Sequence, residues 1–251
     1  MFASLPMYDR PWNRDQHAGF WSLIRDALRD HGFAAPETLD QDTDPMAGWG
    51  RSDLVLGQIC NLPYRAVFKD RLTPIGTADH GIPGVRAGHY RSVFVVRDDD
   101  PAESLADCAR YRFALNDPMS QSGWGAPLAT AKGVGITLRP TIRTGSHRAS
   151  LAAVASGRAD LAGIDIVSWM IDVAEGGATR GLRVIGQTGT SPGMTYVTAG
   201  GADPAPFAAA ISDAVAALSR QDARDLHLHG FVRLPATDYE FDLPELPAYS
   251  A

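Results

Sequence analysis

The 251-residue sequence has few cysteines, no long apolar run and no excess of positive charge. Its two cysteines, Cys60 and Cys108, show neither a CxxC motif nor a metal-ligand spacing, so we expect them to be unpaired. No stretch approaches the roughly 18 apolar residues of a membrane-spanning helix, so we expect no insertion into a membrane. The net charge of −6 argues against an extended surface for nucleic acid or anionic lipid, because such surfaces need clustered lysine and arginine.

The motifs of common enzyme classes are also missing. There is no HExxH or GxxxxGKS/T motif, and neither a GxSxG nor a GxGxxG stands between a strand and a helix. His227 and His229 stand two positions apart, a spacing that points them to different faces of a helix, and no third ligand is nearby. The sequence therefore predicts no catalytic residues, no metal site and no cofactor.

The start of the sequence, MFASLPMYDRPW, lacks the basic region and apolar core of a signal peptide. We therefore expect that this polypeptide is not exported by a signal of its own.

What the sequence does contain is an ordinary globular composition, with 45% hydrophobic and 21% charged residues. Its length admits two modest lobes or one large α/β domain. Apolar runs predict strands at 2–7, 53–59, 92–96, 111–117, 136–142, 161–167 and 194–200. Amphipathic or alanine-rich stretches predict helices at 17–29, 123–132, 146–156 and 207–219. Strands that alternate with helices predict a mostly parallel sheet.

The charged run RDDDP at 97–101 and the Thr/Ser/Pro/Gly cluster that ends LRVIGQTGTSPG at 182–193 suggest two crossings between lobes. We place these crossings near 97–104 and 186–192. One lobe then contains 1–97 and 190–251, the other contains 98–189, and such lobes are built to hinge.

The strongest functional signal is NDPMSQSGWGAP at 116–127, where a strand ends and a helix begins. The first N–H groups of a helix lack intrahelical acceptors and its dipole is positive there, so hydroxyls of Ser120 and Ser122 with these N–H groups can surround an oxyanion. The alternative is an ordinary serine N-cap.

A second strand feeds a helix at RTGSHRASLAAVASGRAD, 143–160, with Gly145 and Ser146 at the helix start and His147 in the first turn. Open α/β sheets bind ligands at the carboxyl ends of their strands, and His147 can donate to an oxyanion there. The alternative for His147 is a surface or capping residue.

These segments resemble the phosphate/phosphonate-type substrate-binding components of ABC transporters. The resemblance is carried by DPMSQSG at 117–123, TGSH at 144–147 and VASGRAD at 154–160, in the family's order and spacing. YRSVFVV at 90–96 and TSPG at 190–193 look like the lobe-crossing regions of that family. The resemblance covers the chain from about residue 2 to 218. It implies an α/β, two-lobed, periplasmic-binding-protein-like (type 2) fold with two chain crossings.

The resemblance implies that Ser120, Gln121 and Ser122 grip a small oxyanion in the interlobe cleft, with His147 beside them. It makes Asp165 the acidic partner of a protonated ligand group, with an exposed strand-end carboxylate as the alternative. Three residues at or just after strand ends can close over the ligand from the first lobe, or else serve in packing: Tyr8, Gln58 and Tyr90.

Two departures from the family pattern leave questions open. Gln121 stands where the family usually has threonine, so the ligand can be phosphate, a phosphonate or a similar anion. The family implies a periplasmic location, whereas the absence of an export signal favours a cytoplasmic one. The resemblance implies a permease as partner; the alternative functions are a cytoplasmic ligand sensor and a small-molecule enzyme on the same fold.

Overall fold

The computed structural model describes residues 1–247, which fall into two compact units. Unit 1 consists of Met1–His89 and Pro192–Glu240, and unit 2 consists of Tyr90–Ser191 with the segment that begins at Phe241. The chain therefore passes between the units at 89–90 and 191–192, and again at 240–241. Within residues 1–247, no helix is both long enough and apolar enough to cross a membrane.

The described residues form strands and helices in alternation. The strands are β1 (Phe2–Ser4), β2 (Leu54–Ile59), β3 (Leu72–Asp79), β4 (His89–Tyr90), β5 (Ser92–Arg97), β6 (Arg112–Leu115), β7 (Arg139–Arg143), β8 (Leu161–Asp165), β9 (Leu182–Gln187), β10 (Ser191–Pro192), β11 (Thr195–Ala199) and β12 (Gly230–Val232). The α-helices are α1 (Arg14–Asp30), α2 (Pro45–Trp49), α3 (Asn61–Pro63), α4 (Ala126–Gly133), α5 (His147–Ala155), α6 (Ile166–Glu175), α7 (Ala205–Ala217) and α8 (Arg220–Asp225). π-Helical turns span Tyr64–Phe68 and Gln121–Gly125, and 3-10 turns span Leu105–Cys108 and Ala236–Tyr239.

Each unit is built on a five-stranded sheet, in the order β1-β2-β11-β3-β12 in unit 1 and β7-β6-β8-β5-β9 in unit 2. Parallel pairing joins β1 to β2 and joins β6 to both β7 and β8. Strand β11 is antiparallel to β2 and β3, β12 to β3, and β5 to β8 and β9. The prediction of a mostly parallel sheet was therefore wrong, because β11 and β5, which follow the crossings, run against their neighbours.

The boundaries of the units also differ from the predicted lobes. Strand β5 pairs with β8 and β9, so residues 92–97 belong to unit 2 and not to the first lobe. Residues from 241 onward also group with unit 2, where the Trp124 indole N–H donates to the Glu245 carbonyl at 2.7 Å. The prediction placed the first crossing at the charged run 97–101. That run follows β5, whereas the crossing precedes β5.

Unit 2 shows why its central strands are apolar on both faces. Phe94 and Val96 pack with Phe113 and Leu128 on one face of the sheet, whereas Val93 and Val95 belong to the cluster of α5 on the other. Side chains alternate along a strand, so a strand covered on both faces is continuously apolar. This arrangement fixes the sheet whose carboxyl edge carries the two motifs found in the sequence.

Candidate functional site

The two sequence motifs of unit 2 lie side by side because their strands are parallel neighbours. Beyond the ends of β6 and β7, the Thr144 N–H donates to the Leu115 carbonyl at 2.8 Å, and the Gly145 N–H donates to the Asn116 carbonyl at 2.9 Å. The carboxyl ends of parallel strands meet at one edge of a sheet, which is where α/β sheets bind ligands. Sequence reasoning expected this juxtaposition, and the backbone hydrogen bonds produce it.

The turn after β6 is held by Asp117. Its carbonyl accepts from the Ser120 N–H at 3.0 Å, its carboxylate accepts from the Met119 N–H at 2.8 Å, and it forms an ion pair with Arg143 of β7. Asp117 therefore fixes the path of the chain from the strand to the helix, as Asp–Pro turns do.

Ser120 begins the next helix. Its carbonyl accepts from the N–H groups of both Trp124 and Gly125 at 3.0 Å, so the first turn is π-helical, and its side chain accepts from the Gly123 N–H at 2.9 Å. The N-cap reading of Ser120 is therefore correct. It does not compete with an anion site, since a helix N-terminus attracts negative charge whichever residue caps it.

Four polar side chains from the two motifs form one connected cluster. Ser122 Oγ lies 2.9 Å from His147 Nε2 and 3.4 Å from Ser120 Oγ. Asn116 Nδ2 donates to Ser120 Oγ at 3.1 Å and lies 3.5 Å from His147 Nε2. Asn116, Ser120 and Ser122 are buried, whereas His147 is half-buried. The structure thus brings together three of the predicted residues, Ser120, Ser122 and His147.

Asn116 is the member of this cluster that sequence reasoning missed. Its amide lies against the α-carbon of Gly123, where a Cβ would overlap Oδ1, and Oδ1 is buried without a hydrogen-bond partner. The signal was present in the sequence, because Asn116 is the first residue of NDPMSQSG, directly after an apolar strand. A polar residue at the carboxyl end of such a strand is as good a candidate for a ligand site as the hydroxyls that follow it.

Gln121 is buried, and its side chain lies along its own helix beside Gly125. A Cβ on Gly125 would lie 2.9 Å from Gln121 Oε1, so the amide packs against that glycine. A threonine at this position would be too short to make that contact. Gln121, the residue that departs from the family pattern, therefore packs against Gly125.

Asp165 is fully buried at the end of β8, not exposed at a strand end. Its Oδ1 accepts from the N–H groups of Val167 at 2.6 Å and Ser168 at 3.0 Å, so it is the N-cap of α6. A carboxylate is a strong cap because it also meets the positive end of the helix dipole. The structure thus gives Asp165 a structural role that the sequence did not predict.

Tyr90 lies in unit 2 and not in the first lobe, because the crossing precedes it. It is among the largest fully buried side chains of the chain. Tyr8 and Gln58 both lie in unit 1, where they line a cavity of about 20 Å³. A cavity of this volume has room for about one water molecule or one polar group.

The same cavity is lined by two histidines that sequence reasoning passed over, His17 and His80. His80 Nδ1 lies 2.7 Å from the His227 carbonyl, which can only accept, so Nδ1 carries the hydrogen and Nε2 is a buried acceptor without a partner. Burial lowers the pKa of His80 to about 4 and also lowers the pKa of His17. Both imidazoles are therefore neutral at pH 7.

Neither His227 nor His229 forms part of a metal cluster. Within residues 1–247, no group of three or more His, Cys, Asp or Glu side chains could hold a metal ion. Cys60 and Cys108 are buried and neither is in a disulfide bond, and burial raises the pKa of the Cys108 thiol to about 12. Cys108 therefore stays protonated at neutral pH.

The fold of this chain is similar to that of several binding proteins of known structure. Methylphosphonate-bound PhnD1 of Prochlorococcus marinus has a TM-score of 0.72 at 17% identity, covering 95% of this chain and 93% of that one. The binding-protein component of a phosphonate ABC transporter from Pseudomonas aeruginosa has a TM-score of 0.67 at 18% identity, covering 95% and 82%. XAC2383 from Xanthomonas citri, bound to ATP, has a TM-score of 0.66 at 18% identity, covering 90% of each chain.

These similarities define the class: the chain has the α/β fold of the type 2 periplasmic binding proteins, and the predicted fold class is confirmed. Residues 50–239 match the model of the phosphonate periplasmic substrate-binding proteins of ABC transporters, and the chain belongs to that family. A comparison with curated protein sequences gives no match. The family resemblance that the motifs predicted is therefore confirmed over most of the chain.

Proposed function

We propose that this protein binds a small phosphonate-like oxyanion at the cluster of Ser120, Ser122 and His147 in unit 2. It serves as the substrate-binding component of an ABC transporter and delivers the anion unchanged to a permease in the membrane. Family membership supports the transport role. Periplasmic binding proteins work outside the inner membrane, so we place the protein there.

One observation carries the choice of an anion. Ser120 Oγ has two acceptor positions, and both are occupied, by the Gly123 N–H and by the Asn116 amide. Towards a ligand, Ser120 can therefore act only as a hydrogen-bond donor. Ser122 Oγ, which could accept the Ser120 hydroxyl hydrogen, lies 3.4 Å away, which is long for a hydrogen bond between hydroxyls. A ligand oxygen that only accepts, as in a phosphonate, satisfies this hydrogen better.

The backbone adds to this preference. The first turn of the helix that begins at Gln121 presents its N–H groups and the positive end of its dipole at the same edge of the sheet. Hydroxyl and backbone donors can hold an oxyanion without a net positive protein, so the net charge of −6 does not oppose this function.

The remaining predicted contacts stay predictions: Tyr8, Gln58, Tyr90, Gln121 and Asp165. Tyr8 and Gln58 both line the small cavity of unit 1. We retain Asp165 as the partner of an amino group on the ligand, in addition to its capping role.

Calorimetric titration with methylphosphonate, phosphate and sulfate tests the proposal. The buffer is bis-tris chloride, which contributes no oxyanion. We expect saturable binding of methylphosphonate, and at 100 times the dissociation constant a gain of about 2.7 kcal/mol in the free energy of unfolding. Absence of binding by all three anions would overturn the proposed function.

A hydrolase is the second candidate, and the Ser122–His147 hydrogen bond of 2.9 Å favours it. A hydroxyl in contact with an imidazole is the arrangement of a nucleophile and its base. The exposed fraction of Ser122 is only 1%, which restricts attack on a bulky substrate. Turnover of 4-nitrophenyl acetate that is lost in Ser122→Ala would favour the hydrolase over the binding protein.

A further inference from the structure

Arg91 lies at the same edge of the unit 2 sheet as the proposed anion site. Strand β8 is parallel to β6 and ends at Asp165, and Ser92 at the start of β5 pairs with Asp165 in antiparallel register. The Arg91 carbonyl accepts from the Ile166 N–H at 3.1 Å, so the pairing of these two strands continues to Arg91. The start of β5 therefore stands beside the carboxyl ends of β6 and β8, the edge at which α/β sheets bind ligands.

The charge of Arg91 is not compensated by the protein. The side chain is half-buried, and its Nε is buried without a hydrogen-bond partner. Within residues 1–247, no acidic side chain forms an ion pair with its guanidinium. A guanidinium stays charged at every pH at which proteins fold, and partial burial of a charge without a partner is costly. Arg91 is therefore a place where a bound anion is stabilised.

Two other arginines of this edge are already paired. Arg143 at the end of β7 forms an ion pair with Asp117, and Arg148 in the first turn of α5 forms one with Glu175 at 3.0 Å. A carboxylate of the protein thus neutralises each of these two charges. Among the three arginines, Arg91 is the one whose charge is left for a ligand.

One strand separates Arg91 from the proposed anion site. The sheet order is β7-β6-β8-β5-β9, so β8 lies between β6, which leads to Ser120 and Ser122, and β5, which Arg91 precedes. Neighbouring strands are about 4.8 Å apart, so the end of β6 and the start of β5 are about 10 Å apart. A phosphonate group held by the two serines does not span this distance. A short substituent that ends in a second anionic group brings negative charge to the guanidinium.

We propose that Arg91 is a second ligand contact of this site, and that its ligands are phosphonates whose substituent ends in a carboxylate. The inference rests on the proposed function and deepens it, because it names the substrate class as phosphonocarboxylates. The planar guanidinium matches a carboxylate with two parallel N–H donors, which makes the contact selective as well as attractive.

Calorimetric titrations with phosphonoacetate and methylphosphonate test this inference, because the two ligands differ by one carboxylate. We expect wild type to bind phosphonoacetate at least about tenfold more tightly, the scale of one hydrogen bond between charged groups. In Arg91→Gln, which keeps hydrogen-bond donors but no charge, the ratio of the two affinities should fall by about the same factor.

The matched control is Arg139→Gln. Arg139 is the exposed first residue of β7, so it lies at the opposite edge of the same sheet, and its replacement removes the same charge from unit 2. This control should keep the wild-type ratio of affinities. An equal fall of the ratio in both variants would assign the effect to the net charge and overturn the contact with Arg91.

Two measurements use wild type alone and do not depend on the folding of a variant. One is the ranking of the two ligands. The other is arginine side-chain NMR, in which the Nε–H signal of Arg91 should shift with phosphonoacetate and stay in place with methylphosphonate. If wild type binds both ligands equally well, or if the Nε–H signal does not respond to phosphonoacetate, the contact with Arg91 is wrong while the proposed function stands. If neither phosphonate binds, the proposed function itself is wrong.

Discussion

The side-chain amide of Asn116 occupies the space that a Cβ on Gly123 would need. This contact lets the amide reach Ser120 Oγ and lie beside His147 Nε2. A glycine at position 123 is therefore required by the close approach of a neighbouring side chain and not by its own backbone angles. Gly123, the last residue of the DPMSQSG motif, thereby positions Asn116, which lies just before that motif.

Gly123→Ala should displace Asn116 and weaken methylphosphonate binding by about tenfold or more, because Ser120 loses one of its orienting hydrogen bonds. The matched control is Gly133→Ala at the end of α4, where an added Cβ meets nothing within 4 Å. That control should leave binding unchanged and shift the free energy of unfolding by no more than about 1 kcal/mol. Equal affinities for the two variants in calorimetry would contradict the role of Asn116.

Ser120→Ala should weaken anion binding by about 1.5–3 kcal/mol, the scale of a hydrogen bond to a charged group. It should also lower the free energy of unfolding by about 1 kcal/mol, since Ser120 is an N-cap. Ser219→Ala removes the comparable cap of α8 in unit 1 and controls for the stability effect. We expect that control to bind methylphosphonate as wild type does; a similar loss of affinity in both variants would assign the effect to stability.

Asp165 allows capping and ligand binding to be separated. Asp165→Asn keeps a capping oxygen, so we expect little change in the free energy of unfolding, whereas Asp165→Ala should lower it by about 0.5–2 kcal/mol. If the carboxylate also meets an amino group on the ligand, Asp165→Asn weakens binding of 2-aminoethylphosphonate more than binding of methylphosphonate. An unchanged ratio of the two affinities would leave Asp165 with the capping role alone.

Buried histidines predict that unit 1 loses stability in acid. Burial lowers the pKa of His80 to about 4, below the ordinary value of about 6.5, so between these pH values the unfolded chain binds more protons than the folded one. The free energy of unfolding should then fall by about 2 kcal/mol from pH 8 to pH 5 through His80 alone. The pKa of His17 is lowered by the same cause and adds to the loss.

Urea unfolding at pH 8 and pH 5 measures this loss. His80→Asn keeps a donor for the His227 carbonyl without a titrating ring, so its loss should be about 2 kcal/mol smaller than that of wild type. His31→Gln, at an exposed position, should lose as much as wild type. An equal loss in all three proteins would show that His80 does not drive the pH dependence.

The sequence predicted which polar residues follow the strands of unit 2, because that information is local. Ser120 and Ser122 follow the apolar strand β6, His147 follows β7, and parallel pairing of β6 and β7 brings them together. Asp165 was placed at a strand end correctly, but its burial as a cap depends on the path of α6, which no local pattern reports.

Strand β3 shows where the sequence is insufficient. It contains Pro74 and Gly76, which usually count against a strand, and it was not predicted. In the fold, the ring of Phe231 from β12 occupies the space that a Cβ on Gly76 would need. His80 directly follows β3, so missing this strand also hid the small cavity of unit 1 that His80 lines.

The most direct test of the central claim is an amide NMR titration of wild type with methylphosphonate. We predict saturable shifts for the backbone N–H groups of residues 120–125 and for the His147 ring, because the anion is held by the helix start and the hydroxyl cluster. Binding that shifts resonances elsewhere and leaves residues 120–125 and 147 unmoved would contradict the account, as would the absence of any saturable shift.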